Sequence, residues 1–428
     1  MSFYYSKITL NQETKDWINV SDYNADPTGN TDSSASIQAA INDASSSGKV
    51  VIFPPGTYRV DKTLKIIHPK QKAVKLMGIG ADNSYYGIHT GDTSTVTITR
   101  SENSDHDLIH AEGRGLTIEG IVFDGKGTQG NAINITRGFE LRIKNSHFYN
   151  IRGYAIEGYS VQNANIEGNH FNKSGSTNNS VLYLGGGKHG VTNTVNVFNN
   201  HFERNFGTDI EIATSEDEKD YAEFIFITNS HFESTDDTGG IIKSTPLLEV
   251  GKVRGLEVDN SFFYGGNGPL IKTVNDYAKG ITVSNTFFLG DRTVGKKWEP
   301  LKSYKKGDFI VPSTRSGYIY IADKSGESGE VEPNFISDIK QYHDGTVEWK
   351  VFSNTIEKRG DLSIENAPSN LIELSKGKGI SFIGNQFSTA KNSYIYIGID
   401  VKSFQQFGNI FLHENESSNV TEILYEKK

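Results

Sequence analysis

Apolar and polar residues alternate along most of this chain within one short phrase that recurs many times. The phrase consists of an apolar residue, a variable residue, Asn or Gly, two more variable residues and Phe. Its copies end at Phe123, Phe148, Phe171, Phe202, Phe232, Phe263, Phe288, Phe387 and Phe411. Successive copies lie 23 to 31 residues apart, apart from one interval of 99 residues. The period-two alternation predicts strands, and a unit too short to bury its own apolar face predicts a solenoid.

The Asn or Gly at the fixed position predicts a turn in each coil, because both residues tolerate the left-handed backbone conformation. Stacked coils would then place each Phe above the previous one, ~4.8 Å apart. A leucine-rich repeat is the competing solenoid, but its Leu-rich phrase is absent. The sequence therefore predicts an all-β fold, a right-handed parallel β-helix.

One helix is expected near the start of the chain. Residues 31–44 read as amphipathic, with Thr31 or Asp32 as N-cap and Gly48 as the stop. Ile37 and Ile41 share one face of this helix. We expect it to cover the N-terminal end of the β-helix core.

The long interval predicts an insertion that divides the chain into three parts. Residues 1–295 would form the cap and most of the β-helix, 296–352 a small module of three β-strands, and 353–428 the last coils. Two of the three Trp residues fall in the insertion. Trp298 and Tyr304 are candidates for stacking on sugar rings, whereas Trp349 is expected in the module's own core.

Aligning the coils on their Phe residues predicts an outward column on the following strand. An apolar-X-apolar triplet directs its central residue away from the core. The central residues are, in coil order, Asn134, Glu157, Tyr183, Glu211, Lys243, Lys272, Glu373 and Tyr396. Asp209 lies two residues before Glu211 and is expected on the same face.

This column supplies the candidate chemistry. Glu157 and Glu211 would lie two coils apart, ~9.6 Å between Cα atoms, and inverting glycoside hydrolysis uses carboxyls ~6.5–9.5 Å apart. Asp209 and Glu211 would lie ~6–7 Å apart along one strand. We therefore predict Asp209, Glu211 and Glu157 as catalytic acid and base candidates. Five residues are predicted to bind substrate: Tyr183, Lys243, Lys272, Trp298 and Tyr304.

Two other functions use the same face. A lyase would pair Lys243 or Lys272 as base with a Ca²⁺ site formed by Asp209, Glu211 and Asp236, whereas a hydrolase needs no cofactor. A receptor-binding protein would bind glycan there without turnover. The simplest alternative is a solvated strand face without a function, because Glu and Lys are common at exposed positions of strands.

A second column places His147, His170, His201 and His231 one residue before the repeated Phe. A row of His residues suggests metal binding. However, Phe262 and Phe287 occupy the position in later coils. We interpret the column as a feature of the repeat and expect no metal site.

Composition excludes several classes of function. The chain has no Cys, which excludes disulfides and thiolate metal sites. Its net charge of −9 argues against non-specific nucleic-acid binding. No apolar run approaches the ~20 residues of a membrane helix, and the first residues lack the pattern of a signal peptide.

The opening of the chain contains three characteristic segments: Val20 to Asp32 with its Asp26-Pro27-Thr28-Gly29, Ile37 to Ile41, and Gly48 to Tyr58. Together they resemble the opening of the pectate-lyase-like superfamily, which includes bacteriophage tailspikes and capsule depolymerases. Asn24 stands where the family usually has Gly, and both residues tolerate positive φ.

The resemblance implies a phage tail-associated protein, a homotrimer in the virion that contacts other tail proteins and acts outside the cell. Its ligand or substrate would be a bacterial surface polysaccharide. The insertion is similar to compact chitin-binding-like modules of phage tail proteins and glycan hydrolases. The superfamily contains lyases, hydrolases, isomerases and inert binders, so the reaction stays open.

Overall fold

The computed structural model describes residues 16–68, 73–80, 94–234, 244–266, 268–290, 296–312, 319–335, 341–353, 368–412 and 420–426. Strands of successive coils pair in parallel, which confirms the parallel β-helix. Each complete coil contributes strands to three faces. The Phe face is a sheet of twelve strands, and the other two faces form one sheet of 21 strands.

The Phe face carries the repeated Phe residues. Its strands are Thr28–Asp32, Gly56–Arg59, Val96–Thr99, Val122–Asp124, His147–Tyr149, His170–Asn172, His201–Glu203, His231–Glu233, Phe262–Tyr264, Phe287–Leu289, Gln386–Ser388 and Ile410–Leu412.

The next face along each coil, which we call the Glu face, carries the predicted outward column. Its strands are Leu64–His68, Ile109–Arg114, Ile133–Phe139, Ile156–Tyr159, Leu182–Gly185, Ile210–Ile212, Leu248–Val250, Ile271–Thr273, Asn370–Ile383, Ser393–Phe407 and Thr421–Tyr425. The third face holds Trp17–Asn19, Val50–Phe53, Lys75–Gly78, Thr117–Glu119, Arg142–Lys144, Val161–Glu167, Thr192–Phe198, Ala222–Thr228, Val253–Asp259 and Lys279–Ser284. Asn370–Ile383 and Ser393–Phe407 continue from the Glu face onto it.

The repeated Phe residues form one continuous stack inside the β-helix. Neighbouring ring centroids lie 4.3–5.2 Å apart in near-parallel pairs. Phe288 stacks on Phe387 at 5.1 Å although 99 residues separate them in sequence. The long interval is therefore an insertion between two adjacent coils. Burying large aromatic surface in offset stacks makes this column a main source of cohesion between coils.

The predicted turn residues adopt the expected backbone conformation. Asn145, Asn199, Asn229, Asn260 and Asn285 all have φ between 45° and 55°. Gly takes the same place in other coils, for example Gly168 at φ 64°. Directly after this turn lies a buried polar column that links coils: Ser146 N–H donates to Asn169 Oδ1 at 3.1 Å, and Asn169 N–H donates to Asn200 Oδ1 at 2.9 Å. Each turn is thus hydrogen-bonded to the next coil.

The N-terminal helix covers the core as predicted. It spans Ser34–Ser47, buries Ile37 and Ile41 and ends at Gly48 with φ 76°. A short 3₁₀ helix, Val20–Tyr23, precedes it and ends at Asn24 with φ 63°. The N-cap is Ser33 rather than Thr31 or Asp32. Within the described residues, no helix is long and apolar enough to cross a membrane.

The insertion forms its own sheet and its own core. Lys296–Lys297, Phe309–Val311, Ile319–Lys324, Gln341–Asp344 and Val347–Ser353 form a five-stranded sheet, and Ser303–Tyr304 pairs with Gly326–Glu327. The expectation of three strands was therefore too low. The buried residues Tyr304, Ile310, Tyr320, Ala322, Phe335, Tyr342, Val347 and Trp349 form a cluster separate from the coil core.

Deleting residues 296–352 should leave a soluble, folded β-helix, because the coils on either side already stack through Phe288 and Phe387. We expect the far-ultraviolet circular dichroism of a β protein, a cooperative melt and a monodisperse elution profile. An aggregated deletion product would show that the insertion is needed for the main core.

Candidate functional site

The outward column of the Glu face is present in the structure, with one change of residue. Its order is Asn134, Glu157, Tyr183, Glu211, Glu249, Lys272, Glu373 and Tyr396. The predicted position of Lys243 is wrong, because Glu249 pairs with Glu211 instead. Lys243 itself lies outside the described residues. The correction places two carboxylates on adjacent coils, next to each other.

The wrong register has a simple origin in loop length. Ile242-Lys243-Ser244 and Leu248-Glu249-Val250 both fit the triplet. Counting forward from Phe232 favours the first, since it assumes a loop as short as in other coils. Counting back from Phe263 gives fifteen residues to Leu248, the same separation as from Phe148 to Ile133. Counting back to Ile242 gives twenty-one residues, which is within the range of the other coils. The spacing therefore admits both registers, and the pairing of Glu249 with Glu211 decides between them.

Glu211 is the most perturbed carboxyl of the column. Burial and the neighbouring Glu249 raise its pKa to about 7. Burial also raises the pKa of Glu249, while Lys272 on the next coil favours its ionised form. The two side chains therefore have different environments: one carboxyl retains its proton near neutral pH, and the other has a cation beside it. Such a difference separates an acid from a base.

Glu157 lies on the other side of Tyr183 from Glu211. Its carboxylate accepts hydrogen bonds from Asn131 Nδ2 at 2.8 Å and from the Tyr159 hydroxyl at 3.2 Å. Burial raises its pKa despite these two bonds. Glu157 is thus held in a fixed orientation, two coils away from Glu211 as predicted.

Tyr183 does not offer an open face for a sugar. It is 4% exposed, and its ring is covered by Tyr154 and Tyr159, whose centroids lie 5.8 Å and 5.3 Å away. Its hydroxyl donates to Asp220 Oδ2 at 2.6 Å. The structure therefore assigns Tyr183 to the floor between Glu157 and Glu211, and the expected stacking role would require its neighbours to move.

Asp220 was not among the predicted site residues, because it lies in a loop that the repeated phrase does not specify. The loop residues 215–219 are exposed, but Asp220 is buried and accepts from Gly186 N–H at 3.0 Å and Ser215 N–H at 2.8 Å. A Cβ at Gly186 would lie 2.0 Å from the carbonyl oxygen of Lys219, so only glycine permits this approach. Asp220 thus adds a further carboxyl beside the column, and burial raises its pKa.

Asp209 is not on the outward face. It is fully buried, and its Oδ1 accepts a hydrogen bond from Asn205 Nδ2 at 3.0 Å. The strand begins at Ile210, so Asp209 lies in the preceding turn, where the alternation of side chains does not apply. This burial separates Asp209 from Glu211. Asp236, the third member of the expected Ca²⁺ set, lies outside the described residues.

Tyr154 borders the carboxylates, and an Arg–Phe pair lies in the segments that lead from the Phe face to the Glu face. Burial, Glu211 and Glu157 raise the pKa of Tyr154 to about 12, which places its hydroxyl in the field of both carboxyls. Arg152 lies over the ring of Phe206, with its Cζ 3.7 Å from the ring centroid. Half-buried Phe206 and Arg152 form a wall with apolar and charged parts, which suits a sugar.

The two candidate residues of the insertion serve its own core. Tyr304 is 4% exposed, packs edge-on against Trp349 and accepts a hydrogen bond from Glu299 N–H at 2.9 Å. Trp298 is half-buried, and its Nε1–H donates to Asp344 Oδ2 at 2.7 Å. The expectation that Tyr304 stacks on sugar is not met by this buried ring. Trp349 is fully buried, as expected.

Substituting Glu211 by Gln should make stability less dependent on pH. The folded pKa of about 7 exceeds the usual unfolded value of ~4.3, so the folded protein binds this proton more tightly and loses stability as pH rises between these values. We expect Glu211→Gln to melt like the wild type below about pH 4 and at a higher temperature above about pH 7. Melting curves across this range test it; a difference that is constant with pH would contradict the assignment.

Comparison with known proteins gives one family match and several fold matches. Residues 17–200 match the family described as rhamnogalacturonase A/epimerase, pectate lyase-like. No curated protein sequence matches the chain. The ORF18 protein of Geobacillus virus E2 has a similar structure, with a TM-score of 0.51 and 18% identity over 78% of this chain and 68% of that one.

Two further structures are less similar. The A-module of an Azotobacter vinelandii mannuronan C-5 epimerase has a TM-score of 0.47 and 16% identity, covering 95% of this chain and all of that module. The tailspike protein of Acinetobacter baumannii phage AM24 has a TM-score of 0.48 and 13% identity, covering 95% of this chain and 56% of that one. The chain therefore has the parallel β-helix fold, and residues 17–200 are similar to the pectate-lyase-like family.

Proposed function

We propose that this protein is a phage tail-associated hydrolase of a bacterial surface polysaccharide, with its active site on the Glu face. One observation carries the proposal: Glu211 lies beside Glu249 on adjacent coils, and burial together with this neighbour raises the Glu211 pKa to about 7. A carboxyl poised near neutral pH, with a second carboxyl next to it, is the arrangement that acid–base cleavage of a glycosidic bond requires.

Glu211 is the general acid in this proposal. Its protonated carboxyl donates to the glycosidic oxygen, so the leaving sugar departs as an alcohol rather than an alkoxide. Tyr183 and Tyr154 exclude water from one side of the carboxyl and thereby help to keep the proton on it. The half-buried wall of Arg152 and Phe206 holds the sugar ring against the column.

The second carboxylate is either Glu249 or Glu157, and the stereochemistry of the product distinguishes them. Glu249 is one strand spacing from Glu211, ~4.8 Å between Cα atoms. Close carboxyls, ~5–5.5 Å apart, act by a covalent intermediate and retain the anomeric configuration. Glu157 is two spacings away, which leaves room for water and inverts it. Proton NMR of the first product anomer therefore assigns the partner.

The setting in a phage tail rests on resemblance. The matching family is described by a carbohydrate enzyme, a rhamnogalacturonase, and the Geobacillus relative in fold is a viral protein. Together with the opening motif, these support a virion component that meets a glycan of the bacterial surface. A homotrimer attached to other tail proteins belongs to the same proposal. Light scattering that gives a monomer at micromolar concentration would remove the trimer.

The lyase alternative loses support from the structure. It needs an acidic cation site next to a basic residue, and the carboxylates proposed for that site are divided by the burial of Asp209. Lys272 remains on the column, but it neighbours Glu249 and is two coils from Glu211. A binding-only protein remains the second alternative, and turnover assays distinguish it.

Incubation with purified glycans of candidate host bacteria should release reducing ends without the ultraviolet absorbance of an unsaturated sugar. Reducing ends accompanied by such absorbance would indicate a lyase. Retained binding without either signal would indicate a receptor-binding protein and would contradict the enzymatic proposal.

Substituting Glu211 by Gln should lower kcat by ~10²–10⁴, the usual contribution of a general acid, with the protein still folded. Wild-type kcat/KM should fall as pH rises through about 7, because the active form carries the proton on Glu211. Glu373→Gln is the matched control, since Glu373 occupies the same column position two coils beyond Glu249. Equal activity of both variants would move the active site away from the Glu face.

A further inference from the structure

A second group of polar side chains lies on the Phe face, away from the Glu face. The sequence His-Phe-Glu occurs twice, at His201–Glu203 and at His231–Glu233. These strands pair in parallel with His201 opposite His231 and Glu203 opposite Glu233. Because the Phe between them points into the core, each His and the following Glu point outward together. The His column and the Glu column, which lie two residues apart along each strand, thus form one outward patch.

Three donor atoms of this patch converge. Glu203, His231 and Glu233 each offer one ligand atom, and these atoms all lie within 4.8 Å of one another. His231 Nε2 is 3.2 Å from a carboxylate oxygen of Glu233. Two ligands of a tetrahedral zinc ion, each bonded at ~2.0–2.1 Å, are separated by ~3.3 Å. The separation of His231 and Glu233 therefore already matches the spacing that coordination requires, and Glu203 lies within 4.8 Å of both.

The surroundings hold these donors in place. The His231 ring lies between His201 and Phe262, with centroids 5.7 Å and 5.1 Å away. His170 Nε2, from the preceding coil, contacts a carboxylate oxygen of Glu203 at 3.2 Å. All three donors are half-buried on rigid strands. Orientation of ligands by neighbours of this kind is typical of protein metal sites.

We propose that Glu203, His231 and Glu233 bind a divalent transition metal ion of the Zn²⁺ class. Imidazole with carboxylate suits zinc, and three protein ligands leave a fourth position for water. The ion would join two adjacent coils through Glu203 and the other two ligands, so its effect would be to stabilise the β-helix. The site is independent of the proposed hydrolase activity, because none of its ligands lies on the Glu face.

Cobalt provides a direct test on the full chain. Titrating the metal-free protein with Co²⁺ should give saturable binding of one ion per chain, with the visible absorption of tetrahedral Co²⁺ that Zn²⁺ then displaces. Zn²⁺ should also raise the melting temperature of the wild type, because a ligand that binds only the folded state stabilises it. No saturable Co²⁺ signal in the wild type would overturn the proposal and leave a hydrogen-bonded His–Glu ladder.

Variants separate the site from other metal-binding surfaces. Glu203→Gln and Glu233→Gln should each weaken Co²⁺ binding by at least ~10–100-fold, the loss seen when only a residue hydrogen-bonded to a metal ligand is changed. His201→Gln is the matched control, because exposed His201 lies in the same column but outside the ligand group. Glu211→Gln should bind Co²⁺ like the wild type. Unchanged binding in both ligand variants would overturn the assignment, even with wild-type binding present.

Discussion

The distance between successive coils is the constraint on which the rest of this structure depends. Ring centroids in the Phe stack are 4.3–5.2 Å apart, whether the rings are 23 or 99 residues apart in sequence. Loops absorb the differences in length, and the hydrogen bonds between parallel strands fix the spacing. Positions that repeat in the sequence consequently become columns of side chains at constant separation.

The stacked columns bring the carboxylates of the Glu face close together, and this closeness disfavours the ionisation of both. Neighbouring residues such as Glu211 and Glu249 are held about one strand spacing apart, where like charges oppose each other's ionisation. A flexible surface would relieve this by moving the side chains apart. Here the buried Phe stack and the hydrogen-bonded turn column hold the backbone, so the protonation equilibrium shifts instead. The raised pKa of Glu211 thus has two causes: its burial, which is the larger, and the neighbouring Glu249 that the coils hold beside it.

The sequence was sufficient for features that the repeat encodes directly. The Phe stack, the Asn turns and most of the outward column follow from period-two alternation and one fixed phrase. The position of Lys243 was wrong because one long loop admits two registers, and only the pairing of the strands separates them. Asp209 was misplaced because it precedes its strand by one residue, where alternation ends.

Other site residues lie in loops, and no repeat specifies their path. Asp220 returns from an otherwise exposed loop, and it accepts two hydrogen bonds from the preceding coil and one from Ser215 in its own loop. Tyr304, predicted to stack on sugar, lies in the core of the insertion for a different reason: a module of this size needs its aromatic residues for its own core. Aromatic content alone does not distinguish a binding surface from a small hydrophobic core.

A site that is formed by residues of two columns cannot be recognised from either column alone. The His column, considered alone, is a property of the repeat, since Phe262 and Phe287 continue it without any donor atom. The column two residues later is equally variable and contains Glu only at 203 and 233 on this face. The two columns face the same side because the Phe between them is buried. Donor atoms therefore converge only where His and Glu coincide on paired strands, and that coincidence, rather than the length of either column, distinguishes a ligand set from a repeat.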